Sequence, residues 1–501
     1  MRRKIRESMR TITFATLFLG ILGWSRLGAQ TPASGGGFPG LDAEPRALDY
    51  ARLGASRPYT WQELAGIALW ASGDGAGSGR FMDRILGAAA EIEASPSLPP
   101  DPRGRGEFIL GYIHNRVLKN YSERQTRVDE IFVNGRYNCV SSAVLYVILA
   151  ASQGIEAGGV MTRDHAFVTL RVGKETIDVE TTNPYGFDPG SRREFHDDFG
   201  RLTGFAYVPA RNYRDRADIS PLELISLIFS NRIAGLESRG RYGESVPLAL
   251  NRAALLSLRS DPVSSPFFAD PREDLTDRLL NFGVSLVRAG KEEEALRWAS
   301  LAGERYPHER WKEFIYGSLN NLLVKLIRSE RFTEGWTALN DRASVLSRDN
   351  FNRLNTLLAD AELTHRSSRI RTLRDAEACL GAVDDAETGR VLSPARAAEM
   401  RTFILLKEGE ILAAEQGWQK ALGFLENAVK QYGRNSQLDN ALRVFRSNRT
   451  TEIHNRFADF FNGRKYDEAL RVVREGLAEL PGNRQLQSDL SRVEQALRNR
   501  P

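Results

Sequence analysis

Asn134-Gly135-Arg136-Tyr137-Asn138-Cys139 opens the decisive stretch, Val140-Ser141-Ser142-Ala143-Val144-Leu145-Tyr146-Val147-Ile148-Leu149-Ala150-Ala151 follows, and Gln153-Gly154 closes it. The residues before the cysteine are turn-prone, and the run after it is apolar nearly all round. It therefore reads as a buried helix with Cys139 at its N-terminus. Gly154 ends that helix, because glycine adopts the left-handed conformation that closes helices.

Downstream the periodicity changes from helical to alternating. Gly158 to Met161 reads as a strand, Thr162-Arg163-Asp164 as a turn, and Ala166 to Val172 with Glu175 to Thr182 as a hairpin closed by Gly173-Lys174. A two-residue turn there sets Val172 opposite Glu175 and His165 opposite Thr182. Ala166, Val168, Leu170 and Val172 share the apolar face with Ile177, Val179 and Thr181, so His165, Asp178 and Glu180 share the other. In this register Glu180 lies one diagonal step from His165 and Asp178 lies two. Upstream, a helix is expected from Glu107 to about Tyr121, with Phe108, Tyr112 and Leu118 at near-helical intervals. Before it, helical text from Pro45 to about Ser95 is ended by the proline-rich Ser95 to Pro102.

These pieces bring together what a cysteine nucleophile requires. The thiolate attacks, so it must be favoured, and a base must be within reach. Free amides and the positive dipole end at a helix N-terminus favour an anion at Cys139. His165 stands where a strand begins after a turn, and a carboxylate would hold its tautomer. Glu180 is the favoured orienter and Asp178 the second candidate. Tyr137 or Asn138 would join the Cys139 amide in an oxyanion site. Taken singly, an apolar-flanked cysteine or histidine is usually a core residue; the order and spacing of the set carry the reading.

Tyr137-Asn138-Cys139 heading an apolar helix, Gly154-Ile155-Glu156-Ala157 behind it, His165-Ala166-Phe167, and Asp178-Val179-Glu180-Thr181-Thr182 resemble the transglutaminase-like core of the papain-type superfamily. The resemblance runs from about Arg105 to Tyr213, roughly a fifth of the chain. It implies an α+β domain in which the cysteine-bearing helix packs on an antiparallel sheet. It also implies Cys139 as nucleophile, His165 as its base, and a carboxylate between Asp178 and Glu180 as orienter. Phe167 stands where the family commonly has tryptophan, and the family's Asp-Pro-Thr is represented by Glu180-Thr181-Thr182 or, less closely, by Asp178-Val179-Glu180. The superfamily also contains inactive members that serve as binding modules.

From Asp218 onward strand signals cease and helix pairs recur. Leu279, Gly283, Leu286, Gly290, Ala295, Ala302 and Pro307 match the tetratricopeptide pattern of small residues at helix crossings. Weaker copies begin near Tyr242, Phe332, Trp418 and Tyr466. Their spacing is irregular, so residues 216–501 are expected to form an all-α, tetratricopeptide-like region offering surface to protein partners.

The N-terminus reads as an export signal: Arg2, Arg3, Lys4, Arg6 and Arg10 precede an apolar stretch from Thr11 to Trp24, with a cleavage context at Leu27-Gly28-Ala29. Residues 1–29 are thus a leader, 30–45 a linker, 46–104 an N-terminal helical segment and 105–215 the transglutaminase-like domain. An uncleaved leader would instead anchor the chain to a membrane. The leader carries six Lys or Arg and one acid, which accounts for the whole net charge of +5. The mature chain is near neutral, which argues against a nucleic-acid partner. An exported, periplasmic or envelope location follows.

Cys139 and Cys379 are too few for a disulfide scaffold; a bridge between them would abolish thiol chemistry and needs Cα atoms within about 7 Å. Metal-ligand spacings and phosphate-cradling glycine loops do not occur, so no cofactor or metal is expected. His196-Asp197-Asp198 reads as a polar turn. The sequence therefore points to an amide hydrolase or acyl transferase acting on protein or peptide substrates. The alternative is an inactive scaffold in which both regions bind partners.

Overall fold

A computed structural model of the chain describes residues 37–73, 78–162, 165–189, 216–258 and 270–499. Most of these are helical, with one small antiparallel sheet and a two-residue parallel strand pair. The chain divides into two compact units, one ending at Trp311 and one beginning at Lys312. The expected leader, residues 1–29, lies outside the described residues. Among those described, no helix is long and apolar enough to cross a membrane.

The first unit begins with helices α1 (Pro45–Ser56), α2 (Trp61–Ser72) and α3 (Ser78–Glu93). In α2, Thr60 and Glu63 cap each other across the first turn, and eight of the twelve residues are buried. The next helix, α4, spans Pro102–Arg116, so it starts five residues earlier and ends five earlier than the sequence predicts. Pro102 sits inside the first turn, where its missing N–H costs nothing, and the Asp101 side chain accepts from the Gly104 amide at 2.8 Å. The proline that was read as a stop is a start. After α4, β1 (Asn120–Tyr121) pairs in parallel with β2 (Arg136–Tyr137), with α5 (Val128–Asn134) between them.

Helix α6, Cys139–Ser152, is the centre of the unit. Asn138 caps it by accepting from the Ser141 amide at 3.0 Å, while Ser141 Oγ accepts from the Asn138 amide at 2.9 Å. Every residue from Val140 to Ala150 is buried. The sheet strands are β3 (Glu156–Met161), β4 (Ala166–Val172), β5 (Glu175–Val179) and β6 (Ala217–Ile219), in the order β5-β4-β3-β6 and antiparallel throughout. Helix α6 lies on β3 and β4, with α2, α4 and α5 against its other sides. The fit with α4 is close: a Cβ on Gly106 would come within 2.5 Å of Leu170, and the Tyr146 hydroxyl donates to the Gly106 carbonyl at 2.8 Å.

The hairpin has the register that its turn dictates. Val172 pairs with Glu175 and Val168 with Val179, and Gly173 takes φ +64° in the turn. Strand β5 stops at Val179, short of the expected Thr182, because the Glu180 amide leaves the ladder and donates to the Gly186 carbonyl at 2.7 Å. Strand β6 was not expected from sequence. It pairs with β3 at Gly159–Met161, and its three residues are too few to display alternation. Gly159 permits this pairing, since a Cβ there would lie 2.8 Å from Ile219.

Helix α7 (Pro221–Glu237) packs on α6, α2 and β3, and α8 (Tyr242–Leu255), α9 (Pro271–Arg288) and α10 (Glu292–Arg305) follow it. Helix α8 also packs on α1. The expected boundaries at 104 and 215 therefore do not separate compact bodies. A helix buried around its full circumference needs cover that four strands cannot give, and α2 and α7 supply it. Residues 37–44, read as linker, are docked as well: the Phe38 ring lies 5.7 Å from that of Trp298, and the Tyr306 hydroxyl donates to the Leu41 carbonyl at 2.8 Å.

In the second unit the remaining helices are α11 (Arg310–Arg328, which begins in the first unit), α12 (Phe332–Asn340), α13 (Arg348–Ser368), α14 (Leu373–Thr388), α15 (Pro394–Gln416), α16 (Trp418–Tyr432), α17 (Ser436–Asn462), α18 (Tyr466–Glu479) and α19 (Arg484–Arg498). From α12 onward each packs on its neighbours in sequence, as in a helical solenoid. The turns repeat across both units. Gly240, Gly290, Glu330 and Arg464 all take positive φ, and in each case the next amide donates back five residues, to Leu236, Leu286, Leu326 and Phe460. This is the Schellman closure of a helix.

Candidate active site

Three elements converge beside the N-terminus of α6. The Asn138 cap sets Cys139 at the first helical position, where the thiol is half-buried and unbridged. The backbone N–H of such a residue is not used by its own helix. His165 immediately precedes β4, and Glu180 immediately follows β5. His165 Nε2 and Glu180 Oε2 are 2.6 Å apart, with the imidazole 8% exposed and the carboxylate fully buried.

The imidazole also lies within electrostatic reach of the Cys139 thiol. Nε2 is engaged by Glu180, and Nδ1 is buried. Burial works against a charged ring, yet the Glu180 charge, the Cys139 thiol and the hydrogen bond that the ring donates to Glu180 together hold His165 well above its ordinary value. The imidazolium form is thus favoured at neutral pH. The carboxylate thus orients the imidazole, and the cysteine opens the helix beside them.

The second carboxylate candidate has other partners. Asp178 lies opposite Thr169 in the hairpin, and Arg216 clasps it with Nη1 to Oδ2 at 2.7 Å and Nη2 to Oδ1 at 2.8 Å. The Arg216 guanidinium also lies over the Phe167 ring, 5.3 Å from its centroid. Asp178 is therefore part of a mostly buried ion pair on the sheet, opposite a residue four positions along from the histidine. Phe167, in turn, stacks on His165 with ring centroids 6.2 Å apart.

Glu180 owes its position to residues to which the sequence reading gave no role in holding it. Its Oε1 accepts from the Thr182 amide at 3.1 Å and the Thr182 hydroxyl at 2.7 Å, which leaves Oε2 to the histidine. Gly186 closes the loop over it: a Cβ at that position would fall 2.0 Å from the Glu180 carbonyl oxygen. Ser142 on α6 hydrogen-bonds Thr181 between hydroxyls at 2.8 Å, tying the loop to the cysteine helix. From α4, His114 Nε2 donates to the Thr181 carbonyl at 3.1 Å, and its ring meets Tyr137 edge-on at 6.0 Å. Burial, opposed by that bond and by Glu180, pushes His114 down to about 4, so it is neutral at physiological pH. A lone histidine in an amphipathic helix carries no pattern that would reveal this role.

The side chains proposed for an oxyanion site have other duties. The Tyr137 hydroxyl donates to the Thr182 carbonyl at 3.3 Å, and burial followed by the Glu180 charge raises it to about 12. Asn138 Oδ1 caps the helix while Nδ2 donates to the Glu123 carbonyl at 3.1 Å. The Cys139 backbone amide is the donor that remains. Tyr121 lines the same region: burial raises its hydroxyl, and the Cys139 and Glu180 charges add to the effect. Among the described residues no group of three or more His, Cys, Asp or Glu is disposed to hold a metal, and His196-Asp197-Asp198 lies outside them. No protein-family model matches this chain, and no curated protein matches it either.

Proposed function

We propose that residues 105–215 belong to a transglutaminase-like domain and that the protein attacks amide carbonyls through Cys139, hydrolysing them or passing the acyl group to an amine. The observation that carries the reading is the buried His165–Glu180 contact at 2.6 Å, with Cys139 close enough to the same imidazole to act on its charge. In the first half-reaction the thiolate adds to the carbonyl carbon, and the Cys139 amide donates to the oxygen as it gains charge. The C–N bond then breaks, His165 gives its proton to the departing amine, and a thioester remains on Cys139. In the second half, neutral His165 takes a proton from water or an amine as that nucleophile attacks the thioester. The product is an acid or a new amide, and the thiolate is restored. Glu180 keeps the ring oriented and stabilises its charged form throughout.

The substrates on this reading are proteins or peptides, the helical repeats supply partner surface, and the leader sends the chain to the periplasm or cell envelope. The test is trapping. The mature protein is incubated with a library of glutamine-containing and branched peptides, quenched in acid, and the Cys139-bearing fragment is weighed by mass spectrometry. A thioester adduct absent from Cys139→Ser supports an acyl-enzyme; an unmodified fragment with every peptide favours the non-catalytic scaffold.

A further inference from the structure

The loop that fixes Glu180 is itself fixed through a single peptide unit. The peptide joining Thr181 to Thr182 presents its N–H to Glu180 Oε1 at 3.1 Å and its carbonyl to His114 Nε2 at 3.1 Å. A peptide unit is planar, so its N–H and C=O cannot turn independently. Whatever holds the carbonyl therefore aims the N–H. We infer that His114 is a positioning residue for the His165–Glu180 pair, acting through the Thr181–Thr182 peptide. The inference rests on the reading of Cys139, His165 and Glu180 as a catalytic set.

Three features make His114 suited to this. A carbonyl can only accept, so Nε2 carries the proton and the tautomer is fixed. The ring is neutral at physiological pH, held low by burial, so it donates without bringing a second cation to compete with His165 for the buried carboxylate. A bond accepted by the carbonyl also polarises the peptide and strengthens its N–H as a donor to Glu180. Other contacts in the loop act elsewhere: Ser142 holds the Thr181 hydroxyl and Tyr137 the Thr182 carbonyl. Neither grips the peptide unit whose N–H meets Glu180.

The test uses the rate of Cys139 alkylation by iodoacetamide in the mature protein, at pH 6 and at pH 9, in wild type, His165→Ala, His114→Phe and His114→Gln. Phenylalanine keeps the ring volume and removes the donor; glutamine restores one. His114→Phe should slow the reaction at pH 6 by about tenfold or more and change it little at pH 9, where alkali ionises the thiol without help. His114→Gln should recover most of the loss. A merely structural role would lower the two rates together or leave both unchanged. If wild type outpaces His165→Ala at pH 6 while folded His114→Phe matches wild type, the inference fails and the catalytic set stands. Equal rates for wild type and His165→Ala would overturn both. Should His114→Phe fail to fold, His114→Gln carries the test with Thr182→Val, which keeps the peptide and deletes only the hydroxyl donor. His114→Gln must then react faster at pH 6 than Thr182→Val, and the reverse order contradicts the inference.

Discussion

Two carboxylates two positions apart, Asp178 and Glu180, faced the same side of the same strand in the sequence reading, and only their partners tell them apart. Glu180 is fully buried with His165 and Thr182 on its two oxygens; Asp178 is clasped by Arg216. Their substitutions should therefore separate. Asp178→Asn removes the buried counter-charge of Arg216, leaving it the longer contact with exposed Asp218 at 3.5 Å, and should cost about 3 kcal/mol of stability, measurable by urea unfolding, while the pH 6 reactivity of Cys139 is kept. Glu180→Gln should cut that reactivity by about tenfold or more. The opposite pattern would reassign the orienter. The hairpin register made Glu180 the better choice from sequence, and it holds as far as Val179. What sequence could not supply was Arg216, 38 residues away in chain order, and the loop that turns Glu180 out of the ladder toward Gly186. His165 adds a pH term: its folded value lies above the unfolded 6.5, so its charged form stabilises the fold fully below pH 6.5 and less as pH rises through the raised value.

At the level of elements, the cysteine helix and the hairpin were legible because both advertise a period, and the short pieces were not. Strand β6 has three residues, and Pro102 at the start of α4 obeys the same proline rule that was read as a stop. The helix pairs were legible at Gly290, where glycine marks the turn, and obscure at Glu330 and Arg464, where the same left-handed turn is made by residues that adopt it with strain. The fold keeps the turn and not the residue. Arg464→Gly should therefore stabilise the chain by about 0.5–1 kcal/mol, and Gly290→Ala should destabilise it by about 1 kcal/mol. Denaturation midpoints that move the other way would show that these turns are not equivalent.

Over the whole molecule, the sequence reading divided the chain by element type, and the structure divides it by cover. The apolar circumference of α6 draws α2, α4 and α7 around it, so helices from both sides of the expected domain join the sheet in one unit ending at Trp311. The chain has two cysteines, and each unit holds one, which makes the full-length protein its own control. Cys379 is 2% exposed, and burial pushes its thiol up. Cys139 is half-buried beside an imidazole. The most direct measurement is thus the alkylation rate of each thiol in the native chain between pH 5 and 9, resolved by mass spectrometry of the two cysteine-bearing fragments, with and without His165→Ala. The account predicts that Cys139 reacts rapidly already at pH 6, that His165→Ala removes this advantage, and that Cys379 stays slow throughout. A Cys139 rate that rises only as an ordinary thiol ionises, near pH 8.5, and that ignores His165, would contradict it.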